Sequence, residues 1–298
     1  MTYLHVMMGS DASPTLPEVR KIDLADLKEA LAKGIDDFRA FPTHVVFLSI
    51  IYPIVGIALA RLTLSYDFLP LLFPLATGFA LVGPVAATGL YELSRRRELG
   101  LDVQWKDAFG ARQSPSIDAI TALGGLLLAI FVLWIAVAQA IYVATFGYAP
   151  AATIPNFLSQ VFTTPQGWTL IVVGNAVGFL FAVTVLTISV VSFPLLLDRE
   201  VGAVVALLTS VRSVLRNPLP MAAWGLIVAA LLLIGSLPLF FGLAVVMPIL
   251  GHSTWHLYRA VVVPQESPAL QPEESPAPRQ VHYAAQFPAT LFAGENRR

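Results

Sequence analysis

Two histidines set the question of chemistry in this chain. His252-Ser-Thr-Trp-His256 places two imidazoles four residues apart, on one face of a helix, where a metal ion or haem iron could take one or both. The spacing is that of a zinc-protease helix. Ser253 stands where the general-base glutamate would be, so a hydrolytic reading lacks its base. Glu92 is the candidate third metal ligand or its hydrogen-bonded support beside His252 and His256. His44, Tyr91, Asp198 and Glu200 complete a candidate inner-face cluster. The alternative is structural: His, Trp and Tyr anchor helices at a membrane interface, and carboxylates beside Arg95 or Arg199 form solvated pairs. No P-loop, nucleophile elbow or dinucleotide fingerprint is present. The absence of cysteine removes thiolate ligands and cysteine nucleophiles.

The elements that must position these residues are membrane helices. Hydrophobic residues make up 56% of the chain and charged residues 12%, about half the charge of a soluble protein. Mean hydropathy is +0.73. Eighteen basic and 19 acidic residues cannot cover a soluble globule of this size, and a net charge of −1 gives no basic surface for nucleic acid. Charge-free stretches mark the spans, because a charge in hydrocarbon is expensive. They predict an all-α protein with six transmembrane helices at Thr43–Ala60, Phe68–Tyr91, Ile120–Thr145, Thr169–Leu197, Leu219–Ile234 and Leu239–Tyr258. A short interfacial helix fits between the third and fourth spans, in Pro155–Gly167.

Basic residues orient the bundle. Seventeen of the 18 Lys and Arg fall in the N-terminal segment, the loops after spans two and four, and the C-terminal segment, and one falls in the remaining loops. Both termini are therefore expected in the cytoplasm.

The spans follow a pattern. Leu24, Leu27, Leu31, Ile35 and Phe38 make an apolar helix face ahead of Pro42, expected to lie along the inner leaflet as an amphipathic elbow. Val204, Leu207, Val211 and Val214 repeat the plan ahead of Pro218, and Trp105, Phe109 and Arg112 shorten it ahead of Pro115. The even spans share a proline near their cytoplasmic end: Pro84 before Tyr91, Glu92 and Arg95, and Pro248 before Trp255, His256 and Arg259. Pro194 reaches its charged group sooner, at Asp198-Arg199-Glu200. Three helical hairpins result, each preceded by an elbow, with units of about 22–100, 101–200 and 201–262 inside a membrane domain 22–262. Segment 1–21 is expected to be flexible, and the Pro-, Glu- and Ser-rich tail 263–298 to be disordered.

Three motifs carry a family resemblance: Gly83-Pro-Val-Ala-Ala-Thr-Gly-Leu-Tyr-Glu-Leu-Ser-Arg-Arg-Arg-Glu-Leu-Gly100, Phe193-Pro-Leu-Leu-Leu-Asp-Arg-Glu200 and Pro248-Ile-Leu-Gly-His-Ser-Thr-Trp-His-Leu-Tyr-Arg259. Together the chain resembles the domain of unknown function 2189 family over about residues 20–262. The resemblance implies a bacterial, multi-pass protein of the inner (cytoplasmic) membrane. Some members carry a cytochrome c oxidase label, but the family implies no activity. An oxidase core would need histidines deep in hydrocarbon, and here every histidine sits at a span end or in a tail.

No ionisable residue lies near a span midplane, and Gln139, Asn175, Thr184, Thr187 and Ser189 are the deep polar groups. That pattern points away from an enzyme and from a proton-coupled pump. The expected function is a non-enzymatic accessory or assembly partner of a membrane complex, a respiratory one if the family label holds. The second expectation is a transporter or channel for a small neutral or amphipathic solute. The sequence requires no cofactor; its partners are the lipid bilayer and other membrane proteins, with no nucleic acid.

Overall fold

In the computed structural model of the protein, the described residues are 16–40, 70–81, 83–148, 153–238 and 240–264, with single positions 54, 57, 58 and 61. They are helical almost throughout. Helix α1 spans Leu24–Ala40, α2 Leu72–Leu81, α3 Gly83–Ala86 and α4 Thr88–Glu98. A 3-10 helix covers Trp105–Gln113. Then come α5 Ile117–Phe146, α6 Ile154–Thr163, α7 Pro165–Ser189, α8 Ser192–Asp198, α9 Ala203–Arg216, α10 Pro218–Ser236 and α11 Leu243–Val261. Contacts group Met1–Val263 as one unit and Pro264–Arg298 as another. The expected span Thr43–Ala60, except for positions 54, 57 and 58, and the tail from residue 265 lie outside the described residues.

Among the described residues, three helices are long and apolar enough to cross a membrane: Ile117–Phe146, Pro165–Asp198 taken through the α7–α8 break, and Pro218–Ser236. They coincide with the third, fourth and fifth expected spans. Within the described residues the second expected span is three helices, α2, α3 and α4, with Pro84 inside the short α3. The described interruption is a turn at Ala87, between α3 and α4. The interfacial helix expected in Pro155–Gly167 is α6, capped by the Thr153 hydroxyl, which accepts from the Asn156 amide.

The sixth expected span corresponds to α11, which is not among these three helices. From Leu250 to Val262 it buries Leu250, Gly251, His252, Ser253, Trp255, Leu257, Tyr258 and Val261 against other helices. Its polar and aromatic half is therefore a protein core.

That core forms where α1 lies across α11. The buried stripe of α1 is Leu27, Ala30, Gly34 and Asp37, positions three and four apart on one face. It differs from the expected apolar face, whose Leu24 is exposed and whose Leu31, Ile35 and Phe38 are half-buried. Small residues let the two backbones approach: a Cβ on Gly34 would stand 2.0 Å from Ser253 Oγ and 2.6 Å from Ser253 N. The same small-residue stripe recurs in α9, where Ala206, Ser210 and Ser213 are buried. There Ser210 Oγ donates to the Thr187 carbonyl at the foot of α7. The 3-10 helix packs likewise on α4, with a Cβ on Gly89 only 2.8 Å from the Ala108 carbonyl oxygen.

Of the segment ahead of α1, residues 18–22 are bonded to the end of α11 and to Asn217. Val19 bridges Val262 antiparallel, Arg20 N donates to Val261 O, and Val263 N donates to Glu18 O. Asn217 clamps the same stretch, accepting from Ile22 N and donating to Arg20 O.

Candidate functional site

Three polar knots tie the helix ends together on the side carrying the basic loops. The first centres on Asp37, which α1 delivers into the α1–α4–α11 junction with a side chain 7% exposed. Ser94 on α4 donates to Asp37 Oδ2 at 2.6 Å. His256 Nε2 approaches the same oxygen at 2.8 Å, and Arg97 Nη1 donates to Oδ1 at 2.5 Å. His252 Nδ1 lies 2.7 Å from Ser94 Oγ. With the Ser94 proton directed at Asp37, the imidazole is the donor in that contact. Burial by itself would push the Asp37 carboxyl up. Hydrogen bonds from His256 and Ser94, with the nearby imidazoles, outweigh burial and hold it below the usual carboxylate range.

The second knot centres on Glu92, which is 3% exposed. It accepts two hydrogen bonds from Arg95, at 2.8 and 2.9 Å, and one from Arg96 at 3.0 Å. Arg96 continues to Asp107 of the 3-10 helix at 3.0 Å. The third knot joins α11 to the ends of α4 and α8. Tyr258 donates to Asp198 at 2.5 Å, Trp255 Nε1 to Glu98 at 2.9 Å, and Arg259 pairs with Glu98 at 2.9 Å.

His252 and His256 do come together, with Asp37 and not Glu92 between them and the neighbouring helices. The reason is helical geometry. Residues two apart on a helix point about 200° from each other, so Ser94 faces α11 while Glu92 faces the 3-10 helix. Asp198 lies one knot away, with Tyr258. Tyr91 is buried in the core at 2% exposure, and Glu200 is exposed. His44 lies outside the described residues. Among the described residues no three His, Asp or Glu side chains converge as metal ligands would.

Asp37 and Ser94 are the members that sequence reasoning missed. A signal existed in α1: Ala30 and Gly34 precede Asp37 at the spacing of one helix face, and a mid-helix glycine costs about 1 kcal/mol unless something packs closely there.

A cavity of about 620 Å³ opens beside the first knot, with Arg20, Lys33, Asp37, Arg97, His256 and Arg259 among its walls. The deep polar groups of α7 are bonded within the helix. Asn175, Thr184, Thr187 and Ser189 each donate to the carbonyl four residues back in α7, which satisfies them within their own helix.

The family model described as predicted integral membrane protein (DUF2189) matches residues 72–198, the family that the sequence motifs resemble. The match covers α2 to α8, including Glu92, Ser94, Arg97 and Asp198, and stops short of α11. No curated protein and no solved structure matches the chain.

Proposed function

We propose that the protein is a non-enzymatic accessory or assembly partner of a larger complex in the bacterial inner membrane, a respiratory one if the family's label holds. It would be built from three helical hairpins in units of about 22–100, 101–200 and 201–262, with six spans and both termini cytoplasmic. Each elbow would pack on the inward helix of the preceding unit: the 3-10 helix on α4, α9 on α7–α8, and α1 back on α11. The contact of α1 with α11 would then close the ring, and the Asp37 knot is its clasp.

The observation that carries this reading is how the ionisable groups are used. Asp37, Glu92, Glu98 and Asp198 are each bonded across or along helix ends. Such pairing fixes the cytoplasmic ends of the helices and leaves their apolar flanks outward. Those flanks are extensive: the spans at Ile117–Phe146 and Pro218–Ser236 have only 22% and 17% of their apolar windows buried. Lipid covers such flanks, and so can helices of another membrane protein. Purification in mild detergent should return a stoichiometric membrane partner, identified by mass spectrometry. A clean monomer or homo-oligomer would overturn the reading.

A second reading, a transporter or channel for a small neutral or amphipathic solute, draws on the 620 Å³ cavity at the helix ends. Flux of such solutes in reconstituted vesicles, or a solute-induced thermal shift, would favour it over the first. A metal held by His252 and His256 is the remaining alternative to a hydrogen-bonded clasp, and metal analysis of the purified protein separates the two.

A further inference from the structure

The stretch from Leu99 to Arg112 presents a surface that neither reading uses. Its underside is fixed: Val103, Ala108 and Ala111 are buried, and the Arg96–Asp107 pair pins the 3-10 helix to α4. Its outer side carries Leu99, Leu101, Trp105 and Phe109, exposed by 59%, 52%, 38% and 44%. Gly100, at φ +70°, makes the turn that sets Leu99 and Leu101 on either side of it. In a 3-10 helix, residues three apart align, so Lys106, Phe109 and Arg112 share one exposed row. Trp105 and Phe109 meet edge to face at 6.3 Å. Lys106 Nζ sits 5.9 Å from the Trp105 ring, and the Arg112 guanidinium 5.1 Å from the Phe109 ring.

We infer that this surface is a binding site for the head group of an anionic phospholipid of the inner leaflet. Chain continuity brings it to the membrane. Ile117 opens a 30-residue apolar helix shortly after Arg112, so the 3-10 helix lies where head groups meet acyl chains. Aromatic rings with basic side chains suit that layer: the rings enter the acyl boundary while Lys106 and Arg112 meet phosphate. The acidic groups nearby leave the basic pair in place. Asp107 is taken up by Arg96, Asp102 is approached by the Gln104 side chain, and Asp118 lies beyond the row at the start of α5. The inference rests on membrane insertion of α5 and is independent of what else the protein associates with.

The test is native mass spectrometry of the full-length protein equilibrated with phosphatidylglycerol or phosphatidylcholine. Phosphatidylglycerol should be retained preferentially, and increasingly less so as salt rises. Lys106→Gln with Arg112→Gln should lower its retention roughly 25-fold, from the value of a basic residue at an anionic leaflet. Lys28→Gln, on α1, should not change it. Equal retention of the two lipids, or insensitivity to salt, would overturn the proposal without any variant. So would unchanged phosphatidylglycerol retention in the double variant, or full displacement by millimolar inorganic phosphate, which would make this a free-anion site.

Discussion

Replacing Asp37 by alanine removes the one side chain that α1, α4 and α11 all share. The wild-type carboxylate is 7% exposed and takes hydrogen bonds from Ser94, Arg97 and His256. Deleting one partner of a buried charged network costs about 3–5 kcal/mol. Arg97 is 40% exposed on its side chain, so it can return to water, and its share is discounted accordingly. Ser94 and His252, both at 1% exposure, cannot, and each loses its route to the carboxylate. The expected loss is therefore near the lower end, about 3 kcal/mol, or a fall in Tm of about 5 °C at the usual per-residue entropy for a chain this size. Asp37→Asn keeps the shape and one acceptor and should lose about half as much. Glu29→Ala, which breaks an exposed pair with Lys33 on the same helix, should leave Tm unchanged. Thermal unfolding in mild detergent, followed by intrinsic fluorescence, reads all three. A shift below about 2 °C for Asp37→Ala would refute the idea that this carboxylate holds the helix ends together.

Because the Asp37 carboxyl is held low, its contribution should be complete above the unfolded carboxyl value near pH 4 and vanish as pH falls through the lower folded value. Tm curves of wild type and Asp37→Asn should therefore stand apart above about pH 5 and converge only as pH falls below the ordinary carboxyl range. Gly34→Val should cost at least about 2 kcal/mol, since even a Cβ meets the Ser253 backbone at 2.6 Å; faster proteolysis around α1 would report the loosened crossing. His256→Ala should lower Tm with no metal present in wild type or variant, whereas a metal site would show stoichiometric metal lost on substitution. In the cysteine-free chain, a cysteine at Thr164 should react with an impermeant thiol reagent on intact cells while one at Gln113 resists, and the reverse pattern would invert the topology.

How far the sequence could be read depends on which physical signal each element gives. The long charge-free stretches announced α5, α7–α8 and α10, because hydrocarbon excludes charge residue by residue and the pattern is local. The buried half of α11 was less legible: its His, Trp and Tyr read as interfacial anchors, and it takes the packing of α1, α4 and α8, all distant in sequence, to make them a core. Asp37 was hidden for the same reason. In sequence it sits beside Asp36 on what looks like the solvated face of an amphipathic helix, and nothing nearby names Ser94 or His256 as its partners. Glu92 was matched to His256 by counting from the two prolines, a reasonable count that carries no information about which face of α4 turns toward α11.

If the protein acts by association, its membrane helices are surfaces for another membrane protein. A photoactivatable residue placed in turn at Val132, Leu180 and Leu226, which are 60%, 63% and 72% exposed on α5, α7 and α10, tests it in living cells. At least one of these helix faces should give a discrete protein adduct of constant mass, lost when Asp37→Ala loosens the clasp. Adducts with lipid alone at all three positions would contradict it.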